Sequence, residues 1–194
     1  MTTDSATREP DSTGGPVGRD AVVAAVLEHA ADLFAERGPA ATSIRDIADR
    51  AGVNHGLVFR HLGAKDQLVG AVLNHLAADT AVQIESGHRF SPGDPMLRRH
   101  WTVLARAILD GYPVGELQQQ FPAVERIVEV ARTKQPDDRS AALAAANIAA
   151  LALGWQLFEP FLRGATGLQD VSESEIRSGI DAAAALILGA PPTS

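Results

Sequence analysis

Cysteine is absent from the 194-residue chain. Its absence excludes a disulfide framework, thiolate metal sites and thiol catalysis, and suits a reducing cytoplasm. Positive charge is also scarce: 17 Lys and Arg against 24 Asp and Glu leave a formal net charge of −7. A protein that holds nucleic acid through bulk charge alone is basic, so the balance weighs against a non-specific binder. Strand-like alternation of apolar and polar residues is missing, and so are internal repeats. There is no nucleophile elbow or phosphate loop, and the six histidines lack metal-ligand spacing. No catalytic residue, cofactor or metal site is expected, and the chain does not read as an enzyme. The stretch Met1 to Gly18 holds Thr, Ser, Asp, Gly and Pro without an apolar core. It is expected to be a disordered tail rather than a secretory signal.

What remains is helix-like nearly throughout, so the expected class is all-α. Val23, Val26, Leu27, Ala30, Leu33 and Phe34 make one apolar stripe from Arg19 to Arg37, closed by Gly38-Pro39. Ser43 stands as an N-cap before Ile44, Ile47 and Ala48. A third short helix is expected over Asn54 to Leu62, and a fourth from Ala64 to Ile84. Asp94-Pro95 starts another, with Leu97, Trp101, Leu104 and Ile108 on one face. A short helix near Glu116 to Gln120 and one from Pro122 follow. The last two run from Asp138 to Arg163 and from the capping-box pair Ser172 and Glu175. About nine helices are expected in all.

Two short helices read DNA only when they cross at a fixed, steep angle. That needs a small residue at the crossing, Ala48, and one that tolerates a sharp turn, Gly52. Ile44, Ile47, Ala51, Val53 and Val58 close a small core beneath. The charge distribution agrees. From Thr42 to Lys65, Arg45, Arg50, Arg60 and Lys65 outnumber Asp46 and Asp49, whereas acids outnumber bases from Asp66 onward. A positive island on an acidic body suits a docking surface at one end. Taken alone, however, a small residue four before a glycine also fits an ordinary helical hairpin.

The full string resembles the N-terminal domain of the TetR/AcrR family of transcriptional regulators from about Arg19 to Leu76. The matching pieces are Leu33-Phe34-Ala35-Glu36-Arg37-Gly38, Ala41 through Ala48, Ala51-Gly52-Val53, Phe59-Arg60-His61-Leu62 and Lys65-Asp66. The resemblance implies a homodimeric regulator, expected to be a repressor, whose recognition helices enter successive major grooves of a palindromic operator. It implies that Asn54, His55 and Gly56 lie nearest base edges, Asn54 bonding adenine and His55 a guanine acceptor. Arg45 is expected at a base or phosphate. Ser43, Arg60, His61 and Lys65 are expected at the DNA backbone. Leu57 and Phe59 depart from the pattern, removing hydroxyls that hold phosphates; Leu57 alternatively reads a thymine methyl.

The expected division is a tail over 1–18, a helix-turn-helix domain over 19–65 and a helical ligand-binding and dimerisation domain over 66–194. Ser140 to Phe158 carries no charge. It is read as an interface helix rather than a membrane span, because alanine dominates it and Asn147 and Gln156 interrupt it. The resemblance implies that the last two helices pair with their copies. It also implies a cavity for an unknown small-molecule effector, with Trp101, Leu104, Phe121 and Trp155 as wall residues. His100, Gln118 or Gln156 would orient the ligand. A helical scaffold or small-molecule binder without DNA-binding activity is the rival reading.

Overall fold

The computed structural model describes residues 18–88 and 94–189. Residues 1–17 of the tail expected over 1–18, most of the loop after Ser86 and the stop at Pro191 lie outside the described residues. Nine helices and no strand occur among the described residues: α1 (Arg19–Arg37), α2 (Ile44–Ala51), α3 (His55–Leu62), α4 (Lys65–Glu85), α5 (Pro95–Leu109), α6 (Val114–Leu117), α7 (Pro122–Arg132), α8 (Asp138–Thr166) and α9 (Glu173–Ile187).

The helix starts follow from local chemistry. Ser43 and Asp46 cap α2 reciprocally, Asp94 accepts from the Met96 and Leu97 amides, and Ser172 with Glu175 caps α9. Each cap satisfies backbone N–H groups that the first helical turn leaves without a partner. Helix α8 continues through Pro160 and ends at Gly167, whose φ of 74° is left-handed. The expected end at Arg163 therefore falls three residues short.

The main core joins α1 to everything around it. Val26, Ala30 and Phe34 are fully buried with Ile47 and Val58 of α2 and α3, and with Leu68, Val72 and Leu73 of α4. Val103 and Ala107 of α5 enter the same cluster. No break in packing marks the division expected after Lys65. Two side-chain assignments change. Val22 rather than Val23 faces fully inward on α1, and Ile108 of α5 is 56% exposed while Val103 and Ala107 are buried. The apolar face of α5 is wrapped around α1, which rotates it away from Ile108.

Polar links reinforce this junction. Arg99 of α5 pairs with Glu28 (3.0 Å) and Asp32 (2.7 Å) of α1 and donates to the Glu28 carbonyl at 2.9 Å. At the other end of α5, Asp110 accepts from the Ala40 amide at 2.7 Å, in the turn leading to α2. His75 and His88, which show no partner in the sequence, lie 3.3 Å from Glu28 and 3.2 Å from Asp94.

A second, smaller core is made of alanine: Ala131, Ala141, Ala144 and Ala145, flanked by Ile127, Val128 and Ile187. Small side chains let α7 and α8 approach closely. Helix α8 is long and apolar enough to cross a bilayer by length and composition, yet only 28% of its most apolar 18-residue stretch is buried. Leu143 (59%), Phe161 (68%) and, on α9, Leu186 (60%) are left exposed.

Glycine at 70 sets how α6 sits on α4, because a β-carbon there would lie 2.8 Å from the Leu117 carbonyl oxygen. Gly70→Ala is therefore expected to lower stability by about 1–3 kcal/mol through overpacking. Gly115→Ala, with nothing within 4 Å, is expected to be neutral or slightly stabilising. Urea denaturation of both variants checks the contrast, and equal midpoints would refute the close contact.

Candidate nucleic-acid interface and internal cavity

Helices α2 and α3 are joined at Gly52, which has φ 65° and ψ 31°. A β-carbon is disfavoured in that left-handed conformation. The Val53 amide returns to the Ala48 carbonyl at 3.0 Å, which sets the sharp turn. Ile47, Ala48, Ala51 and Val58 are buried beneath it, and Ile44, Val53, Leu57 and Leu62 pack against the same core. Helix α3 then shows one outward face: His55, Gly56, Phe59 and Arg60 are exposed, and Val58 points inward. Ser43 and Arg45 are exposed at the start of α2.

Ion pairs sort the cations of this region. Arg50 makes a two-pronged contact with Glu36 (3.0 and 2.8 Å), and Arg37 pairs with Asp46 at 3.0 Å. Hydrogen bonding to Arg50 holds the Glu36 carboxyl below its usual range, and bonding to Ser43 does the same for Asp46. Arg45 and Arg60 have no ion-pair partner among the described residues.

Several expected site residues have local duties. Asn54 is the N-cap of α3, its Oδ1 accepting from the Gly56 amide at 2.8 Å. A two-pronged contact with adenine needs that same oxygen, so the expected adenine contact competes with the cap. A β-carbon at Gly56 would lie 3.1 Å from Asn54 Oδ1, so glycine keeps the cap tight. The capping box occupies the amides of Ser43 and Asp46, leaving the Ser43 hydroxyl proton available. His61 is half-buried, and Leu57 belongs partly to the core, whereas Phe59 is 62% exposed.

Lys65 departs most from expectation. Its ammonium donates to the Thr42 carbonyl and lies 4.7 Å above the centre of the Phe34 ring. Burial lowers its pKa to about 8. The lysine clamps the start of α4 onto the residue before Ser43, and its charge is directed inward.

Behind this head lies a cavity of about 60 Å³ between α4, α5 and the α6–α7 segment. Trp101, Leu104 and Phe121 line it, as do His100 and Gln118; Trp155 and Gln156 are not among its lining residues. Trp155 is half-buried on α8. Sequence reasoning missed Thr80, whose hydroxyl lies 3.1 Å from His100 Nδ1, and the ties made by Arg99 and Asp110. Asp110 leaves one legible sign. An acid at the C-terminal end of a helix opposes the helix dipole, so it calls for an outside partner.

The family description "Bacterial regulatory proteins, tetR family" matches residues 26–72. Over 191 residues the chain is 53% identical to the HTH-type transcriptional repressor Rv3405c of Mycobacterium tuberculosis, covering 97% of this chain and 98% of that protein. Its fold is similar to that of a TetR-family regulator of Mesorhizobium loti (TM-score 0.57, 19% identity, 89% of this chain and 98% of that one). It also resembles AibR, solved in complex with isovaleryl coenzyme A and operator DNA (TM-score 0.50, 17% identity, 89% of this chain and 100% of that one).

Two stability outcomes follow from the caps and the clamp. Asn54→Ala is expected to cost about 1 kcal/mol, read by thermal or urea denaturation. For Lys65, the folded-state pKa of about 8 lies below the ordinary 10.5. Between those values the unfolded chain holds the proton and the folded chain has lost it, so stability rises with pH through that window. A Lys65→Met variant should lose this rise. Parallel stability–pH curves for the two proteins would show that the ammonium is solvated.

Proposed function

This chain belongs to the tetR family of bacterial regulatory proteins, and we propose that it is a homodimeric repressor of a palindromic operator, released by a small apolar or amphipathic ligand. It is a DNA-binding transcriptional regulator, and its described residues contain no cluster fit to hold a metal ion. The observation that carries the reading is the outward face of α3, flanked by two cations that no acid among the described residues engages.

Residues 19–65 form the reading head, and 66–194 hold the ligand and the partner protomer. His55 donates to a guanine acceptor, and Asn54 uses its amide protons while its oxygen keeps the cap. Arg45 and Arg60 neutralise phosphates, and the Ser43 hydroxyl donates to another. Phe59 packs against sugar or a thymine methyl. Leu57 supports the helix from beneath, and His61 borders the backbone. Lys65 holds the head together in place of a phosphate contact.

The exposed apolar surface of α8 and α9 supports a four-helix interface between protomers. Two recognition helices then enter successive major grooves about 34–36 Å apart. The ligand acts by differential affinity for two spacings of the heads. A tenfold loss of operator affinity requires about 1.4 kcal/mol of such difference. Helices α4 and α5 carry the change, because both line the cavity and both enter the core of the reading head.

DNA selected from a random pool supplies the operator for the test. Arg45→Ala and Arg60→Ala are each expected to flatten the dependence of log affinity on log salt by about 1.8, because the dimer loses one phosphate contact from each protomer. Arg50→Ala, already paired to Glu36, should leave that slope unchanged. Equal slopes for all three variants would sink the assignment. Light scattering at micromolar concentration should give a dimer, and a monomer would overturn the proposed interface.

A further inference from the structure

The turn from Gly38 to Thr42 sets where α2 begins, and with it the places of Ser43 and Arg45. The turn is bonded internally. The Gly38 amide donates to the Phe34 carbonyl at 3.0 Å, and the Thr42 amide donates to the Pro39 carbonyl at 3.1 Å. The Thr42 hydroxyl donates to the Gly38 carbonyl at 2.8 Å. Pro39 and Thr42 are buried. A turn tied in this way moves as a block, so what holds it from outside sets the direction of α2.

Two side chains from beyond α3 hold it. Lys65, at the start of α4, donates to the Thr42 carbonyl. Asp110, the C-cap of α5, accepts from the Ala40 amide at 2.7 Å across 70 positions of sequence. That length is typical of a hydrogen bond strengthened by charge. The carboxylate also attracts the Lys65 ammonium, so the two holds reinforce each other.

Two observations mark the Asp110 contact as specific. Gly38 has a φ of 85°, and a β-carbon there would lie 2.9 Å from Asp110 Oδ2. Glycine thus clears the space that the carboxylate occupies. Aspartate is also disfavoured locally at this position. It opposes the dipole at the C-terminal end of α5, and beside a DNA-reading motif it repels phosphate. The bond to Ala40 is what aspartate supplies in return.

Resting on the reading of Ser43 and Arg45 as contacts to DNA, we propose that Asp110 is a positioning residue for operator binding. From the end of α5 it fixes the turn before α2, and so the placement of those two side chains on the duplex.

Asp110→Asn and Asp110→Ala, made in the full chain, test this. Both remove the same negative charge, and only Asn keeps an oxygen that accepts from the Ala40 amide. Asp110 is exposed, so neither change leaves a cavity. Affinity for the selected operator is read by fluorescence anisotropy, at a temperature where circular dichroism shows both variants folded. Asp110→Asn should bind at least as tightly as the wild type. Asp110→Ala should bind about fivefold more weakly per reading head, or about 25-fold for the proposed dimer. By hydrogen exchange, the Ala40 amide should open about tenfold faster in Asp110→Ala than in Asp110→Asn. Ala and Asn variants that bind within about twofold of each other would overturn the proposal, even if Ala melts earlier. Equal exchange at Ala40 would also overturn it. The underlying contacts fail separately. Ser43→Ala and Arg45→Ala without effect, beside an intact Ala–Asn contrast, would defeat those contacts and support Asp110 as the hold on the motif. Arg45→Ala that weakens binding, beside matching variants at 110, would defeat the hold and leave the contact standing.

Discussion

The structure depends on the burial of one face of α1 against two sets of helices at once. Phe34, Val26 and Ala30 touch no solvent, and their neighbours come from α2 and α3 as well as from α4 and α5. A close-packed core is bistable rather than continuously deformable. The helix-turn-helix therefore cannot reorient independently of α5. Arg99 pins α5 to α1 near the cavity, and Asp110 pins its far end to the turn before α2. Under the proposed release, a change in the wall at Trp101 would reach the reading head through α5, which is fastened at both places.

The same junction explains how an acidic protein presents a DNA-binding face. Its net charge of −7 sets the long-range field against DNA. The contact surface is set by pairing instead. Arg37, Arg50 and Lys65 are engaged inside the head by Asp46, Glu36 and the Thr42 carbonyl with the Phe34 ring. These interactions rigidify α1, α2 and the start of α4. Arg45 and Arg60 are left on the surface, one on each helix of the motif. Fewer free cations mean that affinity relies more on fit and base contacts, which favours a selective binder over a general one.

The far end of the molecule carries the opposite imbalance, with apolar surface in excess. The alanine core between α7 and α8 buries little area per residue, and much of α8 remains uncovered. In the proposed dimer, a second protomer supplies what a single chain lacks there. The cavity lies between these two ends, and none of its lining residues is charged. The reading head and the cavity thus share α4 and α5, and α5 also packs against α8.

Periodicity and capping chemistry were enough to mark the helices, because they act within a few residues. The Ser43, Asp94 and Ser172 caps, the Gly52 turn and the start of α5 at Pro95 are all local events. The resemblance in register over Arg19 to Leu76 placed the helix-turn-helix for the same reason. Side-chain partners were less legible. Asn54 is a cap because Gly56 leaves room for it, and Lys65 turns inward because Phe34 and Thr42 wait 31 and 23 residues away in the chain. The sequence alone determined an all-helical regulator with its reading helix expected over Asn54 to Leu62. Tertiary structure decided which cations face outward and which face of α5 is buried. Those outcomes depend on distant segments meeting, and a local pattern carries no information about which segments meet.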